Sequence, residues 1–222
     1  MTSKKEFLEE LNNSLYVIID PDFCGEDPLK TALAAIKGGA GIFQLRCKWR
    51  PYGKTLELAR RMSALCAKHG AFFIMNDNPK IAAKVRADGV HLGQDDMPAL
   101  KARKLFSGII GVSAYNDKEI RQAIADKVDY FGFGPVFKTS TKKGLPPVKG
   151  LLRLARVARK FKELPVVAIG GINEKNIAKV FKAGAASASL ITAVCSAGNP
   201  EEATRRLMGK IRNSKHEIRN RS

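Results

Sequence analysis

Acidic side chains, patterned cysteines and long apolar runs are all scarce in these 222 residues. No apolar stretch approaches the roughly 20 residues that cross a bilayer, so no membrane span is expected. The opening MTSKKEFLEELNNS is amphipathic and lacks an apolar h-region, so it does not read as a secretory leader. Cys24, Cys47, Cys66 and Cys195 are scattered without metal-ligand spacing. That predicts free thiols and a reducing cytoplasm. With three histidines, no Ser-His-Asp order and no reactive-cysteine setting, nucleophilic catalysis is not favoured.

The shortage of acid leaves a large positive excess. Lys and Arg number 39 against 21 Asp and Glu, a net charge of +18. Such an excess invites a nucleic-acid hypothesis. Yet the chain has no zinc-finger spacing, no basic region leading into heptads and no aromatic RNA-binding signature. Part of the excess lies in the last twenty residues, ATRRLMGKIRNSKHEIRNRS, which read as a basic final helix with a frayed end from about residue 213. An anionic small substrate would account for a positive mouth, though not for the whole excess.

What is present is an alternation. Short apolar runs recur as LYVIID (15–20), GIFQLR (41–46), AFFIMN (71–76), GVHLG (89–93), IIGVS (109–113), DYFGFG (129–134), PVVAIG (165–170) and SASLI (187–191). Each is too short for a helix and rich in Val, Ile, Phe or Leu, as buried parallel strands are. Between them lie helical patterns. GKTLELARRMSALCAKHG puts Leu56, Leu58, Ala59, Met62 and Cys66 on one face and stops at Gly70. NDKEIRQAIADK opens with Asn116 and has Glu119 three residues later, a capping-box pattern. GLLRLARVARKF and NEKNIAKVFKAG complete the set. The stretches GGAGIFQL, RADGVHLG, KVDYFGFG and KAGAASASL form a weak internal repeat, as βαβα units would. Eight strands alternating with helices in one uninterrupted chain predict a single-domain (β/α)8 TIM barrel over 1–222. A doubly wound open sheet competes, but it normally uses fewer strands, and no G-x-G-x-x-G follows the first strand.

Active sites of such barrels lie where strands end, and here most strand ends are polar. In QLRCK, Gln44, Arg46 and Lys48 alternate with Leu45 and Cys47, which sends all three to one side of an extended chain. Inward cations near the top call for an anion, unless they merely pair with nearby carboxylates. Asp77 and Asp96 sit at the exits of adjacent strands, which lie roughly 4.8 Å apart. They could share one hard cation such as Mg²⁺, or cap the helices that follow; Asp95 could stand in for Asp96. Thr139, Ser140 and Thr141 lie among Lys138, Lys142 and Lys143 directly after the sixth strand. Gly170 and Gly171, with LITAV after the eighth strand, fall where barrels bind phosphate on backbone amides. His91, mid-strand between Val90 and Leu92, reads as a hydrogen-bonded wall residue rather than a base; His69 and His216 read as surface.

The segments FQLRCK, IMNDN, GVHLGQDD, IIGVS, FGFGPVFKTSTKK, PVVAIGGI and ASLITAV, in this order, resemble the thiamine-phosphate synthase (thiamine-phosphate pyrophosphorylase) family over nearly the whole chain. That family is a (β/α)8 barrel joining hydroxymethylpyrimidine diphosphate to a thiazole phosphate with release of diphosphate. The resemblance implies that Gln44, Arg46, Lys48, Asn76, Ser113 and Lys142 hold the pyrimidine diphosphate. Lys142, Arg46 and Ser113 would act on the leaving group, and Asp77 and Asp96 would hold Mg²⁺. Thr139, Thr141 and the backbone at Gly171, Ile191 and Thr192 would hold the thiazole phosphate. The chain departs from the family at Lys138, where proline is usual, at Ala114-Tyr115, at Ala186-Ser187 and at Thr192. The alternatives are a thiazole tautomerase-like barrel, which relies on a histidine where Tyr115 stands, and a basic, non-catalytic nucleic-acid-binding barrel. The expected partners are small-molecule substrates, with no specific nucleic acid and no membrane; a homo-oligomer is left open.

Overall fold

A computed structural model describes residues 3–25, 27–141, 144 and 146–219. Eight parallel strands close into a barrel in sequence order. They are β1 (Tyr16–Ile19), β2 (Ile42–Leu45), β3 (Phe72–Asn76), β4 (Gly89–Leu92), β5 (Ile109–Ala114), β6 (Tyr130–Phe133), β7 (Val166–Ile169) and β8 (Ser187–Leu190). Each apolar run of the sequence became one strand, and β8 closes on β1 with Tyr16 opposite Ser189. The helices are α1 (Lys4–Asn13), α2 (Pro28–Lys37), α3 (Tyr52–Lys68), α4 (Pro79–Lys84), α5 (Ala99–Arg103), α6 (Asp117–Ala125), α7 (Gly150–Lys160), α8 (Ile177–Lys182), α9 (Thr192–Cys195) and α10 (Pro200–Arg219).

Local signals set many helix ends. α3 turns out at Gly70, whose φ of 68° is cheap only for glycine. Asn116 caps α6 by accepting from the Lys118 and Glu119 amides. Glu119 reaches back to the Tyr115 N–H, one residue before the cap. α1 carries the full reciprocal box between Ser3 and Glu6. α10 runs to Arg219 and corrects the frayed end expected from about 213. Leu207, Ile211 and Ser214 are buried, and the Ser214 hydroxyl donates to the Ala178 carbonyl of α8. Apolar burial outweighs the repulsion of the basic face, which is further eased by Arg206 on Glu174 and Lys182 on Glu217. Among the described residues no helix is long and apolar enough to cross a membrane.

Two concentric cores follow from strand alternation. Outward residues such as Val17, Phe43, Phe73, Val90 and Phe131 pack under the helices. Inward residues, among them Tyr16, Ile18, Ile42, Ile74, Tyr130 and Val167, fill the hollow. α1 plugs its amino-terminal end with Phe7 and Leu11. Phe7 packs edge-on against Phe72 and tilted against Tyr130. The hollow is therefore closed below and open only at the carboxyl rim.

Gly111 makes one of these inner residues fit, because a Cβ there would fall inside the Tyr130 ring. Gly111→Ala is therefore expected to destabilise the fold by about 3 kcal/mol, at the upper end of the overpacking range. A urea unfolding midpoint equal to that of the parent would contradict this.

Candidate active site

The carboxyl rim opens into a cavity lined by Gln44, Arg46, Asn76, Ser113, Thr139, Thr141, Gly171, Ile191 and Thr192. Those nine positions come from six strands or the loops that follow them, so the convergence expected from the sequence is met. Lys48, Asp77 and Asp96 form a group adjoining Arg46 and Asn76. Lys142 lies outside the described residues, as does Lys143.

Arg46 follows β2 and is held by Asp20, the residue at the exit of β1. Asp20 is only 2% exposed, and its other oxygen accepts from the Asp22 amide. A buried carboxylate paired and hydrogen-bonded in this way fixes the guanidinium rather than merely attracting it. Lys48 behaves differently. Its ammonium lies 2.7 Å from Asp77 and 3.9 Å from Asp96. The hydrogen bond to Asp77 raises the Lys48 pKa above the ordinary lysine value. Burial and the neighbouring Asp77 raise that of Asp96. Two carboxylates thus crowd around one cation.

Neither carboxylate caps a helix, the ordinary role for aspartate at these positions. The side-chain cap of α4 is Asn78, which accepts from the Ile81 amide, and α5 has Pro98 at its cap position and no side-chain cap. Asp96 instead accepts from the Gly93 N–H at 2.7 Å, within its own loop. Asp77 occupies the left-handed region at φ 63°, a conformation uncommon for any residue but glycine. Arg86 and Lys127 share this conformation just after α4 and α6, but Asp77 adopts it directly after a strand, at the rim. Among the described residues no three His, Cys, Asp or Glu side chains gather as a metal cluster, so the oxygen donors here are this pair.

Across the cavity, two loops are zipped together. The Val136 and Phe137 amides donate to the Ile169 and Gly170 carbonyls, at 2.8 and 3.0 Å. The approach requires Gly170 and Gly171, both at positive φ. A Cβ on Gly171 would collide with the Lys138 carbonyl oxygen, and one on Gly170 would lie 2.6 Å from the Pro135 Cα. Beyond this seam the Thr139 and Thr141 hydroxyls face one another at 3.1 Å. Beside them, Thr192 begins α9, a single turn whose Val194 and Cys195 amides fold back onto the Ile191 carbonyl. This side of the cavity thus presents uncharged hydroxyls and backbone, in contrast to the ionic group around Lys48.

Sequence reading missed Asp20, Tyr16 and Tyr130. Asp20 carried a signal, being the acidic residue directly after the first strand. The tyrosines did not, because inside an apolar run a tyrosine looks like an ordinary strand former. Ser189 was also unforeseen. It lines the cavity, is 5% exposed, and its hydroxyl has no hydrogen-bond partner among the described residues. A buried unpaired hydroxyl costs about 1–3 kcal/mol. Ser189→Ala should therefore raise stability by about 1 kcal/mol, and a lowered urea midpoint would refute this.

A barrel that gathers a fixed guanidinium, facing hydroxyls, a glycine seam and a carboxylate pair at its carboxyl rim belongs to the class of enzymes acting on phosphorylated small molecules. Relatives narrow this further. A family model described as thiamine monophosphate synthase matches residues 15–194. The thiamine-phosphate synthase of Laribacter hongkongensis is 40% identical over 201 residues, covering 89% of this chain and 94% of its own. That of Bacillus cereus is 40% identical over 205 residues, covering 90% and 94%. The solved thiamine phosphate pyrophosphorylase of Pyrococcus furiosus superposes with a TM-score of 0.84 at 33% identity, over 93% of this chain and 98% of that one. The chain belongs to the thiamine monophosphate synthase family and is an enzyme, a transferase.

Proposed function

We propose that the chain works as a thiamine-phosphate synthase whose rim brings 4-amino-2-methyl-5-hydroxymethylpyrimidine diphosphate and thiazole phosphate together and joins them with release of diphosphate. The observation that carries this reading is the Lys48 ammonium shared by Asp77 and Asp96 beside the cavity. Two carboxylates around one single charge leave an uncompensated negative charge at the mouth. A hard divalent cation fits it, since Mg²⁺ characteristically takes one or two protein carboxylates and completes its shell with phosphate oxygens and water. Asp77 and Asp96 would hold Mg²⁺, and when bound it would neutralise charge on the diphosphate.

The remaining work falls to the chain's own groups. Gln44, Arg46, Lys48, Asn76, Ser113 and Lys142 hold the pyrimidine diphosphate. Thr139, Thr141 and the backbone at Gly171, Ile191 and Thr192 hold the thiazole phosphate. The methylene–oxygen bond breaks first, and the electron pair leaves with the diphosphate. The thiazole nitrogen then captures the resonance-stabilised pyrimidine cation. Arg46, Lys142 and Ser113 lower the barrier by meeting negative charge as it builds on the departing oxygens.

No covalent nucleophile is required, and neither Cys47 nor Cys66 offers one. Burial pushes Cys47 and Cys66 up to about 12, so neither is a thiolate near neutral pH. The deep wall of the hollow presents the uncharged phenols Tyr16 and Tyr130 and the Gln44 amide, rather than ammonium groups that would oppose a forming cation. Tyr115 lines the cavity where a tautomerase would need its histidine, which favours the synthase. Unpaired thiols suit a cytoplasmic enzyme.

Asp77→Ala or Lys142→Ala should each slow diphosphate release by about two orders of magnitude or more, with near-ultraviolet circular dichroism unchanged. EDTA should abolish turnover and added Mg²⁺ should restore it. Near-parental rates for both variants at saturating Mg²⁺ would overturn the proposal.

A further inference from the structure

Five side chains inside the barrel are joined end to end. Gln44 Nε2 lies 2.8 Å from the Tyr16 hydroxyl, and that hydroxyl lies 2.7 Å from the Tyr130 hydroxyl. His91 Nδ1 is 3.1 Å from the Tyr130 hydroxyl, and His91 Nε2 is 3.1 Å from Ser113 Oγ. We propose that these groups form one polarised hydrogen-bond relay, which fixes neutral His91 as its Nε2–H tautomer and turns the Ser113 hydroxyl hydrogen into the cavity. Tyr16 and Tyr130 are then positioning residues that act through His91 and Ser113.

The direction follows from donor counting. A phenol has a single hydrogen to give, and an amide NH₂ can only donate. Tyr16 receives from Gln44, so its own hydrogen passes to Tyr130. Tyr130 therefore gives its hydrogen to His91 Nδ1, which must be bare to accept it. A neutral imidazole with a bare Nδ1 carries its proton on Nε2, and that proton goes to Ser113 Oγ. The Ser113 hydrogen has no other protein acceptor among the described residues, and Ser113 lines the cavity. An anionic oxygen accepts and never donates, so this is the polarity a diphosphate requires. In the reverse polarity Ser113 would present a lone pair to that anion.

The surroundings hold the relay in place. Both phenols are fully enclosed, and burial raises each pKa well above the ordinary tyrosine value, so each remains a neutral donor. Glycine at 111 leaves the space that the Tyr130 ring fills. Glycine at 132 leaves room for the imidazole, since a Cβ there would lie 3.3 Å from His91 Cε1. Gln94 donates to the Ser113 carbonyl and ties the last member of the relay to the rim.

The role given to Ser113 rests on the synthase reading, but the tautomer does not, so the two are tested apart. Two-dimensional ¹⁵N–¹H spectra of the ligand-free protein labelled at histidine should show His91 with an unprotonated Nδ1 and a protonated Nε2. His91 is assigned after single substitution of His69 and His216. Tyr130→Phe should convert that signal to an average of both tautomers. It should lower kcat by about tenfold, the scale of one misdirected hydrogen bond to a charged group, with KM for the thiazole phosphate within about twofold. Tyr16→Phe, which keeps the Tyr130 hydroxyl, should give a smaller loss in the same direction and covers the case in which Tyr130→Phe folds poorly. A proton on His91 Nδ1 in the parent protein overturns the proposal. So does a Tyr130→Phe enzyme that folds and keeps both its tautomer and its kcat. The predicted tautomer in a protein that releases no diphosphate would uphold the relay and reject the synthase reading.

Discussion

Eight strands running the same way round a closed ring have their carboxyl ends at one rim, and α1 shuts the other. Parallel closure converts a scattered set of residues into a site without any long-range signal in the sequence. Side-chain alternation then sorts each strand into wall and interior. Gln44, Asn76, His91 and Ser113 face inward for the same reason that Ile42, Ile74 and Ile109 do. Polar character appears at the later positions of the strands because only there does the hollow meet ligand and water instead of the apolar plug.

Charge is arranged in zones within that geometry. The deep wall is neutral and hydrogen-bonded, and the rim is ionic. At the rim the two cations following β2 receive opposite treatment. Arg46 is tied to a single buried carboxylate that is itself anchored by the Asp22 amide, so its position is set before any ligand arrives. Lys48 is shared between two carboxylates in a cluster that still carries excess negative charge. One is a fixed guanidinium and the other a partner that a stronger cation could displace. The glycine seam on the far side adds a third kind of surface, in which the Thr139 and Thr141 hydroxyls face one another without a charged group between them.

The strands were legible because buried parallel strands are short apolar runs bounded by turn residues, and all eight stand where those runs are. Arg46, Asn76, Ser113 and the threonine loop were legible as polar residues at strand exits. The opposite condition hid the rest. Tyr16 and Tyr130 lie within apolar runs, and only the closed ring brings their hydroxyls together across 114 residues. The end of α10 was misread because its basic composition suggests solvation, while its burial depends on α8 lying alongside. The roles of Asp77 and Asp96 could not be separated from helix capping by spacing alone. That separation comes from Asn78 taking the cap of α4, and from the Gly93 amide turning Asp96 back into its own loop.

The fit of the Tyr130 ring over Gly111 also ties two distant positions to each other. A lineage that gains any side chain at 111 must first surrender the phenol, and one that loses the phenol leaves a void that residue 111 is free to fill. A side chain at 111 and an aromatic ring at 130 should therefore not occur together among descendants of this barrel. Their joint state would serve as a heritable mark of whether the inner wall of a given descendant still carries an aromatic ring at that place.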